Sequence, residues 1–267
     1  MSNSILIGQY VETQSLYHRL DPRTKIISIF ILMIGFLTLD SVISYLFATF
    51  IIFFVLCHSR IPLRTFLKGL KPILFILSFT FVYQLLMTEG TVIWSCFFID
   101  VTIEGISQGI QYVWRIILLV LVASFLTLTT KPLTLAVGLE KLLAPLTKLH
   151  IPVEQLSLMI VIAIRFIPTI LEELHRILLA QKARGYDIST LPFPKRMFAY
   201  IPILIPLLFT TIQRAEQLTY AIDARAYGNG KHRTHYIKLQ FQKIDFQILG
   251  STFIIAVSLL VMKIGGI

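Results

Sequence analysis

From Ile26 to Cys57 the chain carries no charged residue except Asp40, which stands beside Ser41. A charge is costly at mid-bilayer and cheap at its surface, so this pair reads as a tight turn between two short spans. The spans cover about 26–39 and 42–57. In the next stretch Arg60, Arg64, Lys68 and Lys71 alternate with Ile61, Leu63, Phe66, Leu67 and Leu70. At helical spacing these residues separate into a basic and an apolar face, which predicts a helix lying in the membrane interface over 59–71. A third span is expected at about 72–88, then a connection holding Glu89 and Asp100 with no Lys or Arg, then a fourth span at 104–130. That last segment, at 1.5 Å per residue, would measure about 40 Å and crosses a core of about 30 Å with room for tilt. A final span starts at Phe246, within a C-terminal segment 245–267.

Residues 131–244 are harder to place. Val153 to Leu171 and Met197 to Ile212 are apolar, but Arg165 and Pro168 interrupt the first, and Pro202 and Pro206 the second. Crossing the membrane there would carry Arg176, Lys182, Arg184, Lys195 and Arg196 to the outer side. Hydropathy alone favours that seven-span arrangement. The charges favour two long helices that dip into or lie along the cytoplasmic half of the bilayer. Pro152 suits a helix start, with Gly185 its end, and Pro194 suits a second, running to Gly228. Joined by Asp187 to Phe193, they form a long helical hairpin, preceded by an amphipathic helix from Leu133 to Leu149. The expected fold is therefore an all-α integral membrane protein with about five transmembrane helices. Residues 1–130 make an N-terminal membrane domain and 131–244 a cytoplasmic domain.

Composition agrees with this reading. Of 267 residues 56% are hydrophobic and 14% charged, with a mean hydropathy of +0.79, outside the range of soluble domains. A net charge of +10 would suggest nucleic acid for a soluble protein, but here its distribution decides. Segments 1–25, 58–71 and 131–244 hold 22 of the 24 basic residues, whereas the two outer connections carry Asp40, Glu89, Asp100 and Glu104 and no basic residue. The positive-inside rule then puts the N-terminus in the cytoplasm and the C-terminus outside. The polar first 25 residues lack the regions of a signal peptide. Cys57 and Cys96, in apolar surroundings and without a C-x-x-C, read as core fillers.

Candidate chemistry is sparse. No phosphate-binding P-loop occurs; Gly228-Asn229-Gly230-Lys231-His232 lacks its first glycine and its hydroxyl residue. No H-E-x-x-H or nucleophile arrangement is present, and His232 with His235 has no carboxylate beside it for a metal. Arg115 lies eleven residues after Glu104 inside the fourth span, where it either serves function directly or braces the bundle by pairing with backbone or hydroxyl groups. The outstanding feature is a local repeat. Ala180-Gln181-Lys182-Ala183-Arg184-Gly185-Tyr186 matches Ala221-Ile222-Asp223-Ala224-Arg225-Ala226-Tyr227. Helix-end chemistry explains Arg and Gly separately. It leaves the recurring alanines and tyrosine unexplained. Small neighbours also leave a guanidinium free to enter a groove and pair bidentately with a partner's carboxylate.

At these residues the chain resembles the transmembrane T component of energy-coupling factor transporters, ATP-binding cassette importers of vitamins and transition metals in prokaryotes. The resemblance also rests on Leu20-Asp21-Pro22-Arg23-Thr24-Lys25, Ser59-Arg60-Ile61-Pro62-Leu63-Arg64, and Arg165-Phe166-Ile167-Pro168 followed by Glu172-Glu173. It implies a subunit without catalytic residues. Its motifs Ala183-Arg184-Gly185 and Ala224-Arg225-Ala226, on coupling helices, would dock one each into two cytoplasmic ATPase subunits. ATP and magnesium would be bound by those subunits and no cofactor by this chain. The second motif has Ala226 where the family usually has Gly. A membrane substrate-binding S component would be the further partner, alongside membrane lipids and without nucleic acid. Unlike surroundings of Arg184 and Arg225 favour an ATPase heterodimer. A secondary transporter or channel is the competing reading, and it predicts inverted repeats and buried acidic residues at mid-membrane. A membrane enzyme is the third, and it lacks a convergent catalytic set.

Overall fold

The computed structural model describes residues 10, 11, 13, 15–96, 99–149, 152–186, 192, 198–226 and 239–265, with the side chains of 93–96, 99–101 and 154 excepted. The chain divides into two compact units, Met1–Val153 with Leu239–Ile267, and Glu154–Lys238.

The first unit is a helical bundle. A short helix α1 (Leu16–Arg19) leads into α2 (Pro22–Leu37). Asp21 caps α2 by accepting from the Arg23 amide, and Pro22 sits in its first turn, where a missing N–H costs nothing. Helix α3 (Val42–His58) starts from Ser41, whose hydroxyl accepts from the Ile43 amide. The turn expected at Asp40-Ser41 is present. Helix α3 is followed by Arg60 in a left-handed conformation (φ 58°), and Pro62 precedes α4 (Leu63–Leu70). In α4 Phe66 is buried, Arg64 and Lys68 are exposed, and the helix packs on α6. This is the basic amphipathic helix read from the sequence, shortened at its start by Pro62.

A 3₁₀ turn (Lys71–Ile73) joins α4 to α5 (Leu74–Met87). Between α5 and α6 (Ile103–Thr129) the chain forms an antiparallel hairpin of β1 (Val92–Cys96) and β2 (Ile99–Thr102). The sequence reading had only a connection there. Thr102 ties this connection to both helices, donating to the Thr88 carbonyl (2.9 Å) and accepting from the Gly105 amide at the start of α6 (3.1 Å). Helix α7 (Pro132–Leu143) is shorter than the amphipathic helix expected to reach Leu149, because Pro145 cannot donate an amide and the chain tightens into a 3₁₀ stretch (Ala144–Leu149). The second unit contains α8 (Val153–Ala183) and α9 (Ile201–Asp223), and α10 (Lys243–Ile264) returns to the first.

The protein is an all-α multi-pass membrane protein by its helices. Leu63–Met87, Ile103–Thr129, Gln155–Ala183 and Lys243–Ile264 are long and apolar enough to cross a membrane, and Val42–His58 is a shorter apolar helix. The core of the bundle joins Ile29 and Phe36 of α2, Tyr45, Ala48 and Ile52 of α3, Leu118 and Val122 of α6, and Leu259 of α10. Large apolar side chains also point outward, among them Phe50, Phe53, Phe75, Phe79, Ile254 and Val261. Such a surface is costly in water and ordinary in hydrocarbon. Cys57, expected as a core filler, is exposed on α3. Its apolar surroundings are those of an outward face.

Polar groups close one end of the bundle. Asp245, 1% exposed, sits in the first turn of α10 and accepts from the Gln242 amide (2.7 Å) and from the Asp21 amide (3.0 Å). Asp21 in turn accepts from the Arg23 amide (2.9 Å) and pairs with its guanidinium (2.8 Å), which lies 3.9 Å from the ring centre of Phe241. Lys25, also buried, donates to the Thr129 carbonyl (3.0 Å) and the Thr130 hydroxyl (3.2 Å). Thus the segment Leu20 to Lys25 links α2 to the starts or ends of α10 and α6. Helix α7 approaches so closely that a β-carbon on Gly138 would lie 2.8 Å from Cβ of Pro22.

Asp245→Ala strands the buried Asp21 amide, a loss of about 1–3 kcal/mol, and frees the partly exposed Gln242 amide to bond with solvent. We expect a lowered thermal midpoint in detergent with the helical content of the folded protein retained, measured by circular dichroism. Gly138→Ala should lower the same midpoint by forcing α7 away from Pro22.

Candidate partner-docking site

The two Ala-Arg-small motifs lie at the C-terminal ends of α8 and α9. Helix α8 has 31 residues and bears Pro168 inside it; α9 has 23 and bears Pro206. The sequence-predicted start of the second helix at Pro194 and its end near Gly228 lie outside the described residues, as does Tyr227 of the repeat.

At the end of α8 the backbone turns left-handed at Gly185, with φ 84°. The Gly185 amide donates to the Lys182 carbonyl (3.0 Å) and the Tyr186 amide to the Gln181 carbonyl (3.0 Å). These two bonds are the Schellman pattern, which satisfies carbonyls that the ending helix leaves open. Gly185 is the C′ residue anticipated from the sequence. Arg184 is the last residue before it, its amide donating to the Ala180 (3.2 Å) and Gln181 (3.1 Å) carbonyls.

The end of α9 repeats the geometry. Ala226 takes φ 55°, its amide donates to the Asp223 carbonyl (2.9 Å), and the Arg225 amide donates to Ile222 (3.2 Å). Ala226 therefore occupies the position of Gly185, and Arg225 that of Arg184. A left-handed residue with a β-carbon costs about 1–2 kcal/mol, which glycine avoids. Ala183, Arg184 and Gly185 are all exposed, as are Ala224, Arg225 and Ala226. Among the described residues neither arginine forms an ion pair. Each guanidinium is thus presented at a helix end, flanked by side chains too small to shield it.

Within this unit α8 and α9 meet through a pair that the sequence reading did not single out. Glu173, with its side chain 16% exposed, accepts from Arg214 at 3.4 Å and lies 3.6 Å from Arg176. Nearby, Ala199 and Ile203 are buried against Leu174, Ile177, Leu178 and Tyr186. A signal for the pair existed. Glu173 and Arg214 stand 41 residues apart, the offset that also separates Arg184 from Arg225.

The cobalt transport protein family CbiQ matches residues 13–236 of this chain. The chain belongs to that family. It is similar over nearly its whole length to curated proteins named energy-coupling factor transporter transmembrane protein EcfT. The relative from Ruminiclostridium cellulolyticum is 41% identical over 263 residues, covering 98% of both chains. That from Bacillus subtilis is 41% identical, covering 98% of this chain and 100% of its own. The Staphylococcus aureus relative is 38% identical over the full length of both. The family resemblance read from the motifs is therefore shown, and with it the assignment to the transmembrane component of such a transporter.

In the first unit, Arg115 is eleven residues after Glu104 on α6, yet its guanidinium reaches the α2–α3 turn. It donates to the Leu39 carbonyl and lies 3.5 Å from Asp40, which also pairs with Lys263 at 2.9 Å. Helices α2 and α3, with 16 and 17 residues, are short beside the 27 of α6, so their turn falls level with the interior of α6. The Arg115 Nε is buried without a partner among the described residues.

Gly185→Ala introduces a β-carbon that meets no atom within 4 Å, so its effect is purely conformational. It should destabilise the end of α8 by about 1 kcal/mol, while Ala226→Gly stabilises the end of α9 by a similar amount. Amide hydrogen exchange at Arg184 and Arg225 measures both, with roughly fivefold faster and slower exchange expected respectively.

Proposed function

We propose that this chain is the scaffold and energy coupler of an energy-coupling factor importer of micronutrients, vitamins or metal ions. In this reading Ala183, Arg184 and Gly185 enter a groove on one cytoplasmic ATPase subunit, and Ala224, Arg225 and Ala226 a groove on the other. The observation that carries it is the matched geometry of the two helix ends. Each delivers an exposed arginine immediately before a left-handed small residue. A guanidinium so placed can form a bidentate pair with a carboxylate that its own chain does not supply.

The ATPases bind ATP and magnesium, and their closure moves α8 and α9; this chain contributes no catalytic residue. The motion passes to a substrate-binding S component held against the apolar surface of the protein, where flexible apolar side chains can repack against a moving partner. Lys182 and Asp223 precede the two arginines by two residues with opposite charge, which favours an ATPase heterodimer with unlike grooves. The basic segments face the cytoplasm with the N-terminus, in a prokaryotic cell membrane. The C-terminus is external. Lys263 beside Asp40, at the other end of α10 from Asp245, supports placing the chain's ends on opposite sides. Arg115 braces the bundle by holding the α2–α3 turn to α6.

Arg184→Glu or Arg225→Glu should leave membrane insertion unchanged and reduce co-purification of the ATPase pair at least tenfold, or uncouple ATP hydrolysis from uptake. Normal ATP-dependent uptake with both arginines reversed would sink the docking assignment. Arg115→Leu should lower the thermal midpoint while uptake per folded molecule stays normal; intact stability with lost uptake would reject the bracing role.

A further inference from the structure

Two arms that must engage two ATPases at once need a defined relation to each other, and among the described residues α8 and α9 share one small buried apolar cluster. Their buried apolar cluster consists of Ala199 and Ile203 of the second helix region against Leu174, Ile177, Leu178 and Tyr186. Further along α9 the surroundings of the contact are polar: Glu173 of α8 faces Arg214, with Thr210, Gln213 and Gln217 lining the same cleft. A broad ridge-and-groove interface fixes a crossing angle through many contacts. Here the described contact across the polar stretch is an ion pair at 3.4 Å, its carboxylate mostly withdrawn from solvent.

Position along the helices gives the pair its meaning. Arg184 lies eleven residues beyond Glu173 on α8, and Arg225 lies eleven beyond Arg214 on α9. Each docking arginine therefore stands three turns, about 16 Å, past the contact on its own helix. We propose that the Glu173–Arg214 pair is a pin joining two arms of equal length, so that in the chain by itself the two motif ends keep a defined splay about one crossing point. The arms' significance rests on the docking reading above; the pin itself is a property of this chain alone. Arg176, on the same helix as Glu173 and 76% exposed, shares the carboxylate from the solvent side and cannot replace the link to α9.

The test is a distance measurement that needs no ATPase. Ala180 and Ala221 are exposed and occupy matching places in the repeat, seven residues past Glu173 and Arg214 respectively. Spin labels on Ala180→Cys and Ala221→Cys, in the full chain with Cys57 and Cys96 replaced by Ser and reconstituted in lipid nanodiscs, report the splay by pulsed electron resonance. Crossing angles scatter by about 20° when packing does not fix them, so over about 10 Å of helix the mean should shift by roughly 4 Å. We expect Glu173→Gln and Arg214→Gln each to widen and shift the distribution, the double variant to widen it no further, and Arg214→Lys to keep it narrow. An unchanged distribution in the single variants, or additional widening in the double, overturns the pin. Widening accompanied by normal ATPase co-purification in Arg184→Glu supports the pin and rejects docking alone.

Discussion

The first unit depends on one buried carboxylate. Asp245 is 1% exposed, and its two oxygens accept amides from Gln242, on its own helix cap, and from Asp21, on the cap of α2. Two helices that begin at the same level are thereby fastened to each other at their starts. A lone buried carboxylate would be expensive; amide donors and the nearby cations Arg23 and Lys25 offset that cost. Lys25 then reaches the Thr129 carbonyl at the end of α6, and Pro22 meets Gly138 of α7. Elsewhere the helices pack mainly by apolar contact along their lengths, with isolated polar ties such as the Trp114 indole donating to the Thr49 hydroxyl (2.9 Å). The polar closure sets the register from which those contacts follow.

At the other end of the bundle the charges are arranged with less burial. Asp40 is exposed and touches both Arg115 and Lys263, so the α2–α3 turn is held to α6 and α10. One end is thus locked by desolvated hydrogen bonds and the other by pairs open to screening, which are worth less. The bundle is firmer where the motif Leu20 to Lys25 lies.

Much of this was legible in the sequence because membrane helices advertise themselves. Asp40 marked the first turn, and the alternation from Arg60 to Leu70 marked α4; Gly185 marked the end of α8. The family was legible from the repeated Ala-Arg motifs. What escaped has identifiable causes. The hairpin at Val92–Thr102 is short and lies in a connection, where no period extends far enough to separate strand from loop. The role of Asp245 depends on Asp21, 224 residues away, and local patterns do not report long-range partners. Arg115 was placed by counting along α6, but which groups it meets depends on the lengths of α2 and α3. Glu173 entered only through the family resemblance and Arg214 not at all, because the contact between their helices is long-range and leaves no local pattern. Ala226 looked like a mild departure in size, whereas its positive φ makes it a departure in backbone preference.

The eleven residues between each member of the Glu173–Arg214 pair and the motif arginine on its own helix also fix a rotational phase. Eleven steps of about 100° close three turns with about 20° left over, so each arginine emerges on nearly the same side of its helix as the pairing residue below it. Lengthening the linker between α8 and α9 leaves that phase untouched. Inserting a single residue between Glu173 and Arg184, or between Arg214 and Arg225, swings the motif by about 100° onto a different face. Under the proposed docking, an insertion or deletion in either stretch would move its arginine off the shared face, whereas one in the joining segment would not change that phase.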